Sequence, residues 1–414
     1  MAGDGVRPVG SDPTQSGSDP TPSGSDPTGL TPGHAARSRF PIFEHTTYAN
    51  SCSQGALSID VRAAYEQYLA GWDEHGAEWE HWVERAEAAR TAFARLVEAS
   101  PEEIAVTTSV SQGVSALVSA LPLEQGRNRI VISEFEFPTV GQIAHAQELR
   151  GAEVVHVRPA ADGRIPLERF AEAIDERTAL VCCTAISYRT GYRLDVAEVA
   201  RLSHESGALC LADSYQAAGA IPLDVRALGV DLLTAGTVKY LLASSGLAFM
   251  FVRRDLHERL LPTQTGWFAD EDIFRMDISD YSPAGDARRF DAGTPPVPNI
   301  YAGLAGMAIV EETGVAAIET HVRGLADRLL AGLDELGAIV ATPRGEGEYG
   351  PLVCVASTDA QALVESLQSE ERIVTSSRDE NLRISLHLYN VDDDVDRILA
   401  ALAARPELLQ PKNA

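Results

Sequence analysis

The stretch TAGTVKYLLA, residues 234–243, holds Lys239, one of two lysines in the 414-residue chain; the other, Lys412, lies near the C-terminus. The chain has 34 basic side chains, so arginine fills the remaining 32 places. Arginine stays protonated and planar and is no nucleophile at neutral pH. A lysine amine loses its proton when desolvated and then attacks a carbonyl to form a Schiff base. Alone, such a lysine is most simply a surface residue, but its neighbours decide against that reading. LADSYQ ends an apolar run on Asp213, with Gln216 three residues on and Lys239 26 residues after Asp213. A carboxylate there is costly to bury without a partner, and a protonated ring nitrogen would be such a partner. Upstream, VTTSVSQGVSAL (residues 106–117) gathers hydroxyls and a glycine at a strand-to-helix junction, where backbone N–H groups bind phosphate. A hydroxyl-rich helix start is by itself an ordinary N-cap; the four features in this order point to a site.

Such a site needs a scaffold that delivers each group at the end of a strand. From residue 78, EWEHWVERAEAARTAFARLVEA reads as an amphipathic helix. Apolar runs then alternate with helical patterns: EIAVTTS, RIVISEF, EVVHVRP, TALVCCTAIS and ALCLADS are separated by SQGVSALVSAL, VGQIAHAQELRG, PLERFAEAI and DVAEVARLSHESG. DLLTAGT and LAFMFVRR close the series. Short strands that are apolar on both faces predict an α/β fold with a mainly parallel, doubly wound sheet. Ligands of such sheets bind beyond the carboxyl ends of the strands. After about residue 305, long helices such as GVAAIETHVRGLADRLLAGLDELG lead to PLVCVAS, NLRISLHLY and VDRILAALA, a smaller α+β domain. The expected divisions are a repeat tail at 1–36, an N-terminal segment joining the small domain at 37–59, a large domain at 60–305 and a small domain at 306–414.

Composition narrows the function. A net charge of −26, spread along helical faces, argues against nucleic-acid binding, which draws on basic contacts to phosphate. No apolar run reaches the roughly 18 residues of a membrane span, and the N-terminus shows no signal-peptide pattern. The five cysteines form no CxxC pair, which fits a reducing cytoplasm and offers no metal site. The repeat GSDPTQS, GSDPTPS, GSDPTGL has almost nothing to bury and is expected to be disordered.

Four strings, ISYRTGYRLD, LADSYQAAGAIPLDV, AGTVKYLLASSGLAFMFV and DAGTPPVPNIYAGLA, occur in this order. They resemble the class V aminotransferase family of fold-type-I pyridoxal 5'-phosphate (PLP) enzymes, the resemblance covering residues 45–405. It implies that Lys239 is the aldimine lysine and thus the catalytic residue, acting on an amino-acid Cα–H once freed. It implies further that Asp213 keeps the pyridine nitrogen protonated and Gln216 contacts the ring hydroxyl. Val110 and Ser111 would cradle the phosphate, with Thr237 also reaching it, and Phe137 would stack on the cofactor. Thr294 would be donated across the interface of a homodimer. Arg383 would grip the substrate α-carboxylate, a bidentate task suited to arginine.

Departures from the family sort the reactions. ERIVTSSRDENLR carries Ser376 and Ser377 but no cysteine where the desulfurases hold their nucleophile. The FPT of residues 137–139, GTPP of 293–296 and the pair Trp267–Phe268 are similar to kynureninase-like members, which cleave at the substrate β-carbon. Tyr188 and Arg189 are placed to touch the distal end of the substrate, with a structural salt bridge the equal alternative for Arg189. A lyase removing a β- or γ-substituent (sulfur, halide or acyl fragment) is favoured over an aminotransferase with a keto-acid acceptor, and both over a non-catalytic PLP-fold binding protein. His45 and His387 read as core or rim residues, His81 and His204 as solvated ones, and Cys52 as structural, with a place lining the active-site entrance as the alternative.

Overall fold

Apolar runs bounded by turn residues become strands of one sheet, and their carboxyl ends define the site. The computed structural model describes residues 32–123 and 126–410. The short strand β1 (Thr47–Tyr48) comes first, followed by β2 (Ile104–Thr107), β3 (Arg129–Ser133) and β4 (Glu153–Val157). Next come β5 (Thr178–Thr184), β6 (Leu209–Asp213), β7 (Leu232–Gly236) and β8 (Ala248–Val252). Strands β2 to β8 form a seven-stranded sheet in the order β2-β8-β7-β6-β5-β3-β4. The pairings are parallel except those of β8, which runs antiparallel to β2 and β7. A parallel return needs a crossover of a dozen or more residues, usually helical; the β7–β8 loop has no helix, so β8 must reverse. That loop carries Lys239.

Both faces of the sheet are covered, which is why β6, β7 and β8 show almost no polar alternation. On one face Phe93 stacks on Phe249, ring centroids 4.5 Å apart, beside Val181, Val199 and Leu233. On the other, Val114 and Leu117 of the helix Val110–Ser119 pack with Val140, Leu180 and Met250. A buried ion pair pins the rim: Arg90 meets Asp291 at 2.8 Å, and Asp291 also accepts the Val106 N–H at 2.7 Å.

Further on lie β9 (Leu352–Ala356), β10 (Ile373–Val374), β11 (Ser376–Arg378) and β12 (Asn381–Ser385). β12 pairs antiparallel with both β11 and β9, and β1 pairs in parallel with β10. The β11–β12 turn has Asp379 at φ +54°.

Three readings need correction. The helix Ile59–His75 was not foreseen, because only Val61 and Ala64 of it are buried while Leu69 and Trp72 are exposed. The tail boundary at 36 cuts the helix Pro32–Arg37, where Arg37 grips Asp394 at 2.7 Å; residues 1–31 of the repeat tail, and Lys412, lie outside the described residues. His204 is not simply solvated: its Nε2 lies 2.8 Å from Asp231 Oδ2. All five cysteines are free and buried. Among the described residues, no single helix is long and apolar enough to cross a membrane.

Candidate active site

The carboxyl ends of β2, β3, β5 and β6 and the β7–β8 loop surround a cavity of about 410 Å³. Asp213 ends β6 at its floor, buried, with Oδ1 accepting the Tyr215 N–H at 2.8 Å. Burial raises its pKa, against the Tyr215 N–H and the nearby Lys239 charge. Lys239 reaches in from its loop, Nζ 4.3 Å from the Tyr215 ring centroid and 5.8 Å from that of Phe137. Among the described residues this amine makes no hydrogen bond. Burial lowers its pKa and the Asp213 carboxylate opposes that, as desolvation of a cation requires.

The lysine loop is held from below. His387 Nε2 lies 2.9 Å from the carbonyl oxygen of Tyr240, and burial drives the imidazole pKa down to about 3, so it is neutral. Gly55 N–H donates to Val238 O at 2.8 Å, and a Cβ on Gly55 would lie 2.5 Å from Lys239 O. Only glycine allows that approach. The same segment brings Cys52 to the cavity wall, Sγ 3.7 Å from Ser376 Oγ. A purely structural reading of Cys52 therefore falls short.

At one end of the cavity the helix Val110–Ser119 opens. Ser109 caps it, accepting the Gln112 N–H at 3.1 Å, and Ser111 Oγ lies 3.3 Å from Thr139 Oγ1. The first N–H groups of a helix have no intrahelical partner and favour an anion. Across the loop, Gly246 sits at φ +99°, where a Cβ would strike Asn299 Nδ2 at 2.3 Å. At the other end, Phe137 and Tyr188 meet edge to face, centroids 5.2 Å apart. Arg383 is buried there, donating to Tyr188 O at 3.0 Å, Ser53 Oγ at 3.1 Å and Ser376 Oγ at 3.0 Å. Its Nε is buried with no partner.

Thus Lys239, Asp213, Gln216, Val110, Ser111, Phe137, Tyr188 and Arg383 line one cavity. Three expected residues do not. Thr237 is fully buried and turns its hydroxyl to Ser244 O at 2.8 Å and Leu247 O at 3.1 Å; it has no free donor for a phosphate. Arg189 pairs with Asp379 at 2.8 Å, the structural alternative. Thr294 lines a neighbouring cleft with Thr108 and Gln112. Sequence reasoning missed Tyr215, Arg378 and Glu136. The aromatic position within DSYQ was a signal for Tyr215; none marked Glu136, whose two carboxylate oxygens are buried without a partner. Burial first, then the Asp213 charge, holds the Glu136 carboxyl well above the usual range.

A charged pyridine with an aldehyde and a phosphate fits these walls. Gln216 donates Nε2 to Cys52 O at 3.0 Å and leaves Oε1 buried without a partner. Asp213 needs a cation, the Lys239 amine an electrophile, and the helix N-terminus an anion. Residues 60–398 match the family model described as aminotransferase class-V. The chain is 34% identical over 370 residues to a Bacillus subtilis protein named uncharacterized aminotransferase YcbU, covering 89% of this chain and 97% of that one. It is 27% identical over 352 residues to a kynureninase of Pseudomonas fluorescens, covering 80% and 82%. A lysine-to-alanine variant of C-DES, with glycine covalently linked to its PLP cofactor, superposes with a TM-score of 0.80 at 22% identity, covering 89% and 98%. The chain belongs to the aminotransferase class-V family, has the fold-type-I architecture, and is a PLP-dependent enzyme.

Proposed function

We propose that this class-V family enzyme is a lyase that removes a β- or γ-substituent from an α-amino acid. The carrying observation is the unpaired Lys239 amine facing Asp213 within a cavity whose far wall holds Arg383. Bound PLP would supply an electron sink for charge developing at the substrate Cα. Lys239 would hold the cofactor and, once released, move a proton at Cα, a task suited to an amine whose pKa burial has lowered. Asp213 would keep a cation at the ring nitrogen. Gln216 would meet the ring hydroxyl, and the Val110 and Ser111 N–H groups would meet the phosphate. Arg383 fixes the α-carboxylate, with Nε–H unspent, and Phe137 and Tyr188 shut water from the ring face and the distal end.

Lyase chemistry is favoured by the kynureninase-like stretches at 137–139 and 293–296 and by the kynureninase relative. Ser376 and Ser377 both stand on β11, where a desulfurase-type cysteine would be expected. The relative named as an aminotransferase supports transfer as the second reading. We infer a homodimer, and two features support it. Thr294 lies outside its own cavity. Residues 274–278 expose Phe274 (49%), Met276 (66%) and Ile278 (102%), an apolar patch that a second protomer would cover. We place the enzyme in the cytoplasm on its free, buried cysteines. An amino-acid panel without keto acid decides the reaction: sustained release of ammonia or of a side-chain fragment supports the lyase. A single stalled half-turnover, relieved by a keto acid, supports transfer.

A further inference from the structure

The charge balance of the cavity is opposite to that of the chain. The protein carries a net charge of −26, yet the charged side chains lining the cavity are Lys239, Arg378, Arg383 and the single carboxylate Asp213. Lys239 and Asp213 belong to the cofactor, and Arg383 takes one carboxylate. Arg378 is left over.

Its position is built in by the hairpin. β11 and β12 pair so that Ser376 faces Arg383 and Arg378 faces Asn381. Side chains alternate along a strand and opposed residues share a face, so Arg378 projects on the same face as Ser376 and Arg383. The two arginines are diagonal neighbours across the hairpin, their backbones roughly 7–8 Å apart. Among the described residues no carboxylate pairs with Arg378; its contact is with the Tyr188 ring, 5.8 Å from Cζ to centroid. The nearest candidate on its own turn, Asp379, is taken by Arg189 at 2.8 Å. Arg378 is exposed, so water carries its charge while the cavity is empty; its place on the cavity wall, on the same strand face as Arg383, is what offers that charge to a ligand.

We propose that Arg378 is a second anion-binding point, so that the substrate is an α-amino acid whose side chain bears its own anionic group, the two ends held by Arg383 and Arg378. This rests on the reading of the cavity as an amino-acid site. A neutral or aromatic side chain would leave Arg378 unused, whereas a distal carboxylate or sulfinate would lie between Arg378 and the Phe137–Tyr188 corner.

The test titrates PLP-loaded enzyme with L-aspartate, L-glutamate, L-asparagine, L-glutamine and L-alanine, following the absorbance of the bound cofactor. The acids should bind about 10- to 100-fold more tightly than their amides, the worth of a charge-assisted hydrogen bond, and the gap should narrow as salt rises. Arg378→Gln should remove the preference and leave alanine binding unchanged, while Arg378→Lys should keep part of it. Equal affinity for acid and amide, or an Arg378→Gln variant that weakens alanine as much as aspartate, overturns the proposal. If no amino acid perturbs the spectrum, the amino-acid reading itself fails and this proposal falls with it.

Discussion

Replacing Arg383 by lysine keeps the charge and removes the geometry. Three of the five guanidinium N–H donors are committed, to Tyr188 O at 3.0 Å, Ser53 Oγ at 3.1 Å and Ser376 Oγ at 3.0 Å. Those bonds fix the plane of the group and leave two of its five N–H donors, one on Nε and one on Nη1, for the substrate. Lysine offers a point charge without a fork, so one charge-assisted bond to the α-carboxylate is lost. Such a bond is worth about 1.5–3 kcal/mol, which converts to a fall of about 10- to 100-fold in kcat/KM for the best amino acid. Steady-state turnover measures it, with cofactor affinity as the control that should stay at its wild-type value. A variant within about threefold of wild type, less than 1 kcal/mol, would refute the assignment. So would a fall matched by an equal loss of cofactor affinity, since Arg383 is read as touching substrate alone.

Three other perturbations bear on the same geometry. Cofactor uptake by apo-protein needs the neutral Lys239 amine, so its rate should climb with pH and level off below the ordinary lysine value of 10.5. Because the Asp213 charge opposes that lowering, Asp213→Asn should move the levelling point lower still; stopped-flow absorbance over a pH series reads both. The same Asp213→Asn enzyme should bind cofactor yet lose about 100-fold or more in kcat, as losses of a preorganised charge partner do; near-wild-type turnover would contradict the role. His387 is neutral in the fold, its pKa about 3 against 6.5 when unfolded. A depressed folded value means its contribution is whole above pH 6.5 and shrinks as the pH falls toward 3. Between about pH 7 and pH 5 the wild type should lose about 2 kcal/mol from this group, a loss absent from His387→Gln in urea unfolding.

The strand-borne part of the site was legible because apolar runs mark both a strand and its end. Asp213 and the Val110–Ser111 turn lie where those runs stop, and Lys239 lies three residues beyond β7. Residue type alone did not give direction. Thr237 sits beside Lys239 but turns inward to the carbonyls of its own loop. An apolar run likewise does not tell which way it travels, so the reversal of β8 emerged only in the sheet. Cys52 reaches the cavity beside the β1–β10 pairing, which joins Thr47 to Ile373, and short-range patterns carry no trace of such a pairing; the β11–β12 hairpin is local, but nothing within it tells that Arg378 meets the cavity.

The most direct test uses the scarcity of lysine in the chain, which has only Lys239 and Lys412. Pure protein is loaded with PLP, reduced with borohydride, digested and mapped by mass spectrometry. One pyridoxyl group per chain, on the peptide bearing Lys239 and absent from Lys239→Ala, is the predicted result. Label on Lys412 or the α-amino group, or no label at all, would contradict it.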